Sequence, residues 1–231
     1  MKNLVLNVLA VAVLAVMISA CGGGKEQLLE TVTQDGHVIK YEYDNKNRIS
    51  KITYYEYDEP YRTKTLFYNG NDLVKEVHEE HSEYDEFTVT NEFVKSGNTI
   101  TISSNNSIHG TMDLDRDGYP IKLTYPNSIV ANSYVIKNGN LIQFDSGEQK
   151  YSYEYDDKKS PLSKCKTPKW YLFDDLRVFA SANNPTKEIY QMGNIKFERE
   201  YKNEYDDDDF VIKQIKYEGR KEEVTTFKYY Q

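Results

Sequence analysis

The sequence predicts an all-β protein: a large curled antiparallel meander, forming a partial or closed water-soluble barrel, with one short helix. Short runs alternate apolar and polar residues, as in Tyr119–Tyr125, and a period of two indicates strands with one buried face. Turn pairs such as Asn69-Gly70 and Asn138-Gly139 separate these runs and tolerate the positive φ angles of tight hairpins. Tyr, a residue favoured in strands, occurs 21 times in 231 residues.

The N-terminus has the pattern of a lipoprotein signal peptide over residues 1–20. Lys2 precedes the apolar run Leu4–Met17, and Ile18-Ser-Ala-Cys21 resembles a bacterial lipobox, in which the Cys becomes the acylated N-terminus. The alternatives are an ordinary secretory signal or a membrane anchor with an incidental Cys. The apolar run is shorter than the ~20 residues that a span needs, which favours the lipoprotein.

Cleavage leaves residues 21–27 as a lipidated flexible tether, because three glycines follow Cys21 directly. The lipid would attach the protein to a membrane in the cell envelope. No Asp follows Cys21, which favours the outer membrane; the periplasmic and surface faces both stay open. Cys165 would then be the single remaining thiol, so no internal disulfide is expected.

Composition narrows the function classes. The 37 acidic residues outnumber 29 basic ones, for a formal charge of −8, which argues against nucleic acid as a partner. Two cysteines rule out a disulfide scaffold, and a single apolar run rules out a multi-span helical membrane protein.

Residues 28–231 are predicted to form one all-β domain built from a weak repeat. Each unit has a Tyr-rich strand, an Asp or Asn opening a turn, and an outgoing strand, as at Tyr43-Asp44, Asp115 and Asp206. Such a unit cannot bury its own apolar face, so neighbouring units must pack beside it. Matching positions in the repeat predict four buried residues: Ile52, Leu123, Ile215 and Tyr217.

An irregular, partly helical insertion interrupts the strands near residues 161–185. Thr167-Pro168 has the pattern of an N-cap and first helical position, and apolar residues then recur at helical spacing. We expect a short helix within 168–180, ended by Asn183-Asn-Pro185. Its apolar side chains should plug a gap in the sheet: Trp170, Phe173, Leu176 and Phe179.

Two stretches carry a family resemblance. Tyr41-Glu-Tyr-Asp44 followed by Arg48-Ile49 resembles the unit of YD repeats, and Ser181–Thr186 precedes a last group of strands. Together with the lipobox they resemble a Bacteroidetes lipoprotein family of unknown function with a porin-like β fold. The resemblance implies a similar fold over the mature chain and supplies no catalytic residues. The run Asp206–Asp209 departs from the family pattern, because it lacks a Gly at its turn.

The candidate chemistry is sparse. Asp113, Asp115 and Asp117, followed by Gly118, match the opening of a calcium loop, but position 12 of the loop would be Thr124 rather than Glu. We interpret this segment as an acidic hairpin turn, with a weak Ca²⁺ site as the alternative. No catalytic or phosphate-binding motif occurs in the sequence, and no metal or other cofactor is expected.

The leading hypothesis is a non-enzymatic lipid-anchored envelope protein, a binding or scaffold module at the outer membrane whose protein or glycan partner the sequence does not identify. The alternative is a carbohydrate-binding accessory lipoprotein, with some tyrosines stacking on sugar rings. An undetected hydrolase ranks third. A cavity with converging carboxylates of perturbed pKa would favour that third hypothesis.

Overall fold

The computed structural model describes residues 27–81 and 86–230, so Cys21, the signal peptide and most of the tether lie outside the described residues. Within these ranges, sixteen antiparallel strands close into a barrel in which each strand pairs with its sequence neighbours and the first with the last. The predicted all-β meander is confirmed, and the sheet closes. The strands are β1 (Leu29–Gln34), β2 (His37–Tyr43), β3 (Ile49–Glu56), β4 (Glu59–Asn69), β5 (Asp72–His81), β6 (Glu86–Ser96), β7 (Thr99–Ser104), β8 (Ser107–Leu114), β9 (Pro120–Thr124), β10 (Ala131–Lys137), β11 (Asn140–Asp145), β12 (Gln149–Lys159), β13 (Asn183–Met192), β14 (Ile195–Tyr205), β15 (Val211–Glu218) and β16 (Lys221–Tyr229).

One long connection, residues 160–182 between β12 and β13, fills one end of the barrel; we call it the plug. It contains helix α1 (Lys169–Asp175) and a 3₁₀ helix (Arg177–Ala180), so the predicted insertion and helix are confirmed in outline. Its predicted last residues are wrong: Asn183-Asn-Pro185 opens β13 instead of ending the helix.

The expected N-cap is also wrong. The Thr167 hydroxyl accepts a hydrogen bond from the backbone N–H of Ile49, 2.8 Å away, and α1 has no side-chain cap at its start. Thr167 therefore fastens the plug to β3 rather than capping its own helix.

Apolar packing anchors the plug in the lumen. Leu172 and Phe173 are fully buried and Trp170 nearly so. The Trp170 ring lies edge-on to Phe93 of β6 at 5.1 Å between centroids, and Phe173 meets Tyr119 in the same way at 5.5 Å. Leu176 and Phe179 are only partly buried against this core. The predicted burial in the plug is therefore correct for Trp170 and Phe173, whereas Leu176 and Phe179 are less buried than expected.

The weak sequence repeat corresponds to a repeated turn. Asp44, Asp115 and Asp206 each accept two backbone N–H bonds at one carboxylate oxygen, from the residues two and four positions later, at 2.9–3.1 Å. The fourth turn residue has positive φ in all three cases, and it is Gly118 in the second turn but Asp209 in the third. Asp209 thus takes the place of the missing glycine.

Tyrosine hydroxyls repeat as well, near the ends of even-numbered strands. Each donates a hydrogen bond of 2.6–2.9 Å to a carbonyl at the start of the preceding strand. Each acceptor residue lies beside a bulge in the pairing of its own strand with the neighbour on its other side, and the tyrosine hydroxyl supplies a donor to its carbonyl there. The four pairs are Tyr43 with Leu29, Tyr68 with Ile49, Tyr155 with Leu141, and Tyr229 with Val211.

Two of the four predicted core residues are buried. Ile52 and Leu123 are 0% and 3% exposed, whereas Ile215 and Tyr217 are half-buried, so the prediction is wrong for these two. A register shift opposite Val211 changes which residues of β15 face inward. Gln214 therefore faces the lumen and donates a hydrogen bond to the Asn203 side chain at 2.9 Å.

Candidate functional site

A cavity of about 340 Å³ lies in the lumen beyond the end of α1. The helix enters from the plug end, so its C-terminal residues Asp174 and Asp175 reach the cavity while its apolar residues stay in the core. Strands β4 to β9 supply the remaining wall, and His109 at its edge is exposed to solvent.

Glu76 of β5 is the most deeply placed carboxylate of the wall, at 5% exposure. One of its oxygens accepts a hydrogen bond from the Tyr171 hydroxyl at 2.5 Å, and the other accepts one from the Asn91 amide at 3.2 Å. Burial, followed by the carboxylates of Asp175 and Glu76, raises the pKa of Tyr171 well above its ordinary value. The hydroxyl therefore stays protonated and acts as a donor.

Asp174 and Asp175 carry the negative charge at the end of α1, whose last turn has no basic residue. Asp174 accepts a hydrogen bond from the Tyr134 hydroxyl at 2.5 Å, and Asp175 forms an ion pair with Lys64 of β4. Burial is the main cause of a raised pKa at the Asp174 carboxyl. Burial opposes the charge of Lys64, but Asp175, Tyr54 and Glu76 together outweigh it, so the pKa of Lys64 is raised.

The wall also contains imidazole and aromatic groups. His78 of β5 has a buried Nε2 without a hydrogen-bond partner and lies 3.5 Å from the nearest oxygen of Glu80; Arg62 forms an ion pair with that same carboxylate. The rings of Phe93 and Tyr125 line the cavity, and Tyr125 meets His109 edge-on at 5.5 Å.

A second polar cluster lies across the lumen and is internally paired. Arg199 of β14 bonds to Glu188 at 2.5 Å and to Glu218 at 3.2 Å, while the Tyr201 hydroxyl donates to the other oxygen of Glu188 at 2.9 Å. The charges of this cluster are paired with one another, although Arg199 Nε has no hydrogen-bond partner, and such pairing is typical of a structural network.

The weak calcium candidates do not converge. One carboxylate oxygen of Asp115 accepts the N–H groups of its own turn, and Asp113 and Asp117 are exposed. Among residues 27–81 and 86–230, no group of three His, Cys, Asp or Glu side chains is placed to hold a metal ion.

The carboxylates of the cavity are not among the sequence candidates. Tyr171 and Glu76 are 95 positions apart, so no local motif links them. Asp174 and Asp175 are adjacent acidic residues inside the predicted helix, but Arg177 follows two positions later, so the local sequence gives no signal of a site there.

Comparison with known proteins gives structural similarity only. No family model and no curated protein sequence matches the chain. A porin-like protein from Bacteroides vulgatus is 15% identical, with a TM-score of 0.47 over 88% of this chain and 99% of the other. A porin-like protein from Bacteroides uniformis is 13% identical, with a TM-score of 0.39 over 88% and 96%. Both neighbours are porin-like proteins of Bacteroides, and the expected membership of a porin-like Bacteroidetes lipoprotein family stays a prediction.

Proposed function

We propose that this protein is a non-enzymatic, lipid-anchored binding module of the outer membrane that holds a small polar ligand in its lumen. The cavity beyond α1 carries this proposal, because it combines about 340 Å³ of space with polar groups from several strands. The lipid on Cys21 would keep the barrel in the cell envelope, as the lipobox predicts.

The outer surface supports a barrel that stands in water. From Glu198 to the end of β14 the exposed positions are charged and alternate with half-buried residues that face the lumen; the exposed ones are Glu198, Glu200, Lys202 and Glu204. The start of the strand also exposes two apolar side chains, Ile195 and Phe197. A barrel that spans a membrane instead shows an apolar band to the lipid. In the described part of the chain, no helix has the length and apolar character to cross a membrane.

The tether also fits a cavity that points away from the membrane. β1 starts at the plug end, where Gln27 contacts Asp208 of a turn beside the plug. The seven tether residues 21–27 reach at most about 25 Å when fully extended. The plug end would therefore lie nearest the lipid, with the cavity at the far end of the barrel.

Carbohydrate is the second candidate ligand. The amide of Asn91, the hydroxyl of Ser104 and the ring of Tyr125 line one cavity, and sugars combine hydroxyl groups with apolar ring faces. A hydrolase stays the third candidate. Glu76, Asp174 and Asp175 share the cavity and the pKa of Asp174 is raised, which is the arrangement that favours it. We rank it below binding because each of the three carboxylates is held by a protein donor: Tyr171, Tyr134 or Lys64.

Two measurements test the proposal. For the anchor, membrane-extracted protein should show an acyl mass on Cys21 and no residues 1–20, and Cys21→Ala should abolish both cleavage and lipid. An unprocessed wild-type chain without acyl mass would contradict the anchor.

For the cavity, a thermal-shift screen of small polar compounds compares the wild-type domain with Ser104→Trp, which should fill the space. Ser103→Trp on the opposite face of β7 is the matched control. Compounds that stabilise the wild type and the control, but not Ser104→Trp, support binding in the lumen. Equal responses from all three proteins would reject it.

A further inference from the structure

Taking the cavity beyond α1 as the ligand site proposed above, we infer that its ligand is an organic cation, with an ammonium or guanidinium group placed between Glu76 and Asp174. The wall contains three carboxylates and one ammonium group, that of Lys64, so its formal charge is −2 with the histidines neutral.

The three carboxylates of the wall have different partners. Lys64 is committed to Asp175, and the side chains of this pair are only 12% and 23% exposed. Glu76 and Asp174 have neutral donors alone: Tyr171 and Asn91 for the first, Tyr134 for the second. Among the described residues, neither carboxylate forms a direct ion pair, although Lys64 attracts both of them and Arg177 attracts Asp174. Buried carboxylates are ordinarily paired with a cation.

The end of α1 adds to this negative potential. The C-terminus of a helix carries a partial negative charge, which favours Lys, Arg or a bound cation nearby. Here the last turn places Asp174 and Asp175 there and has no basic residue. A cationic ligand would meet both the carboxylates and the helix terminus, whereas a neutral sugar would leave the formal charge of the wall at −2.

The aromatic part of the wall suits the same ligand class. Phe93, Tyr125 and Tyr171 line the cavity, and aromatic faces attract ammonium and guanidinium groups. Each carboxylate oxygen can accept more than one hydrogen bond, so the existing tyrosine bonds leave capacity for a charged donor. The volume admits a small amine rather than a folded partner.

Three four-carbon probes that differ in their end groups test the charge directly: putrescine, butanediol and succinate. Calorimetric titration of the wild-type domain at low salt should show saturable binding of putrescine only. Asp174→Asn and Glu76→Gln should each weaken putrescine by about tenfold, the typical loss for one charge-assisted hydrogen bond. Glu200→Gln, which removes the same charge from the outer face of β14, should bind as the wild type does. Urea midpoints confirm that each variant is folded.

Putrescine binding no tighter than that of butanediol, or binding unchanged by both Asp174→Asn and Glu76→Gln, would overturn the cationic ligand. If neutral compounds bind the wild type and lose binding in Ser104→Trp while putrescine does not bind, this inference fails and the proposed binding function stands. If no compound distinguishes wild type from Ser104→Trp, the proposed function fails with it.

Discussion

Removing the Phe173 ring should destabilise the whole barrel, because the plug is part of its core. The side chain is 0% exposed and packs edge-on against Tyr119 at 5.5 Å. Truncation of a buried Phe to Ala costs about 3–5 kcal/mol, including the cavity left behind. A domain of this size loses about 2–4 °C in Tm per kcal/mol, so Phe173→Ala should melt about 6–20 °C lower than the wild type.

Urea unfolding is the appropriate assay, followed in parallel by far-UV circular dichroism and by Trp fluorescence. Trp170 is the only Trp of the chain and lies in the plug, so its emission reports plug release while dichroism reports the strands. The two transitions should coincide and move together in Phe173→Ala.

Phe67→Ala serves as the matched control. Phe67 is 41% exposed and has Lys75 over its ring at 4.3 Å, so we expect a loss below about 1 kcal/mol. A loss that small in Phe173→Ala, or Trp170 release well before the strands unfold, would show that the barrel is stable without its plug.

Three further outcomes follow from single groups. Tyr229→Phe leaves the Val211 carbonyl without its donor and should cost about 0.5–1.5 kcal/mol in urea, whereas Tyr217→Phe should be near neutral. Burial opposes the charge of Asp44, but hydrogen bonds from Arg48 outweigh it and lower its pKa below 3.8; this stabilisation is present above pH 3.8 and lost as the pH falls through the folded-state value. Asp44→Asn should therefore flatten the acid limb of a stability curve measured by urea midpoints. Asp174 should show the opposite pH dependence, because its pKa is raised in the folded protein. Its contribution to folding stability is complete below its ordinary pKa and is lost as the pH rises through the folded-state pKa. Asp174→Asn should therefore raise the Tm at neutral pH, and an unchanged or lower Tm would contradict this.

The strands could be predicted from local sequence, and their closure could not. Alternation and turn pairs are properties of a few adjacent residues, so β9 and its turn are visible in Tyr119–Tyr125. Closure depends on the pairing of β1 with β16, in which Leu29 lies opposite Tyr229. No local pattern specifies a contact between the two ends of a domain.

Bulges explain the main error within the strands. The alternation in β15 predicts Ile215 and Tyr217 inside, but the register shift opposite Val211 moves the inward set by one residue. A one-residue slip exchanges the two faces of a strand. The Tyr-Asp repeat marks where the turns begin, and the bulges lie next to them, so pattern reading is least reliable close to these turns.

The cavity could not be predicted because the plug assembles it. Asp174 comes from a connection between β12 and β13, whereas Glu76 comes from β5 on the far side of the sequence. They share a cavity only because the apolar residues of α1 pack in the lumen. This packing places the C-terminus of α1 at the cavity. The sequence analysis predicted that these apolar residues pack in the plug. How far they enter the lumen sets the position of Asp174 and Asp175.

The same arrangement gives a reason to expect function at this end of α1. Asp174 lies at a helix C-terminus, half-buried and with a tyrosine as its hydrogen-bond donor, and its raised pKa means that its charge lowers the stability of the free protein. Single substitutions can remove a charge that lowers stability. Residues that keep such a charge are typically those where binding or catalysis needs it. If Asp174→Asn both raises the Tm and weakens putrescine, one carboxylate would account for lower stability in the empty barrel and tighter binding in the occupied one. A gain in stability without any change in binding would instead make Asp174 a structural flaw of the plug, with no part in ligand recognition.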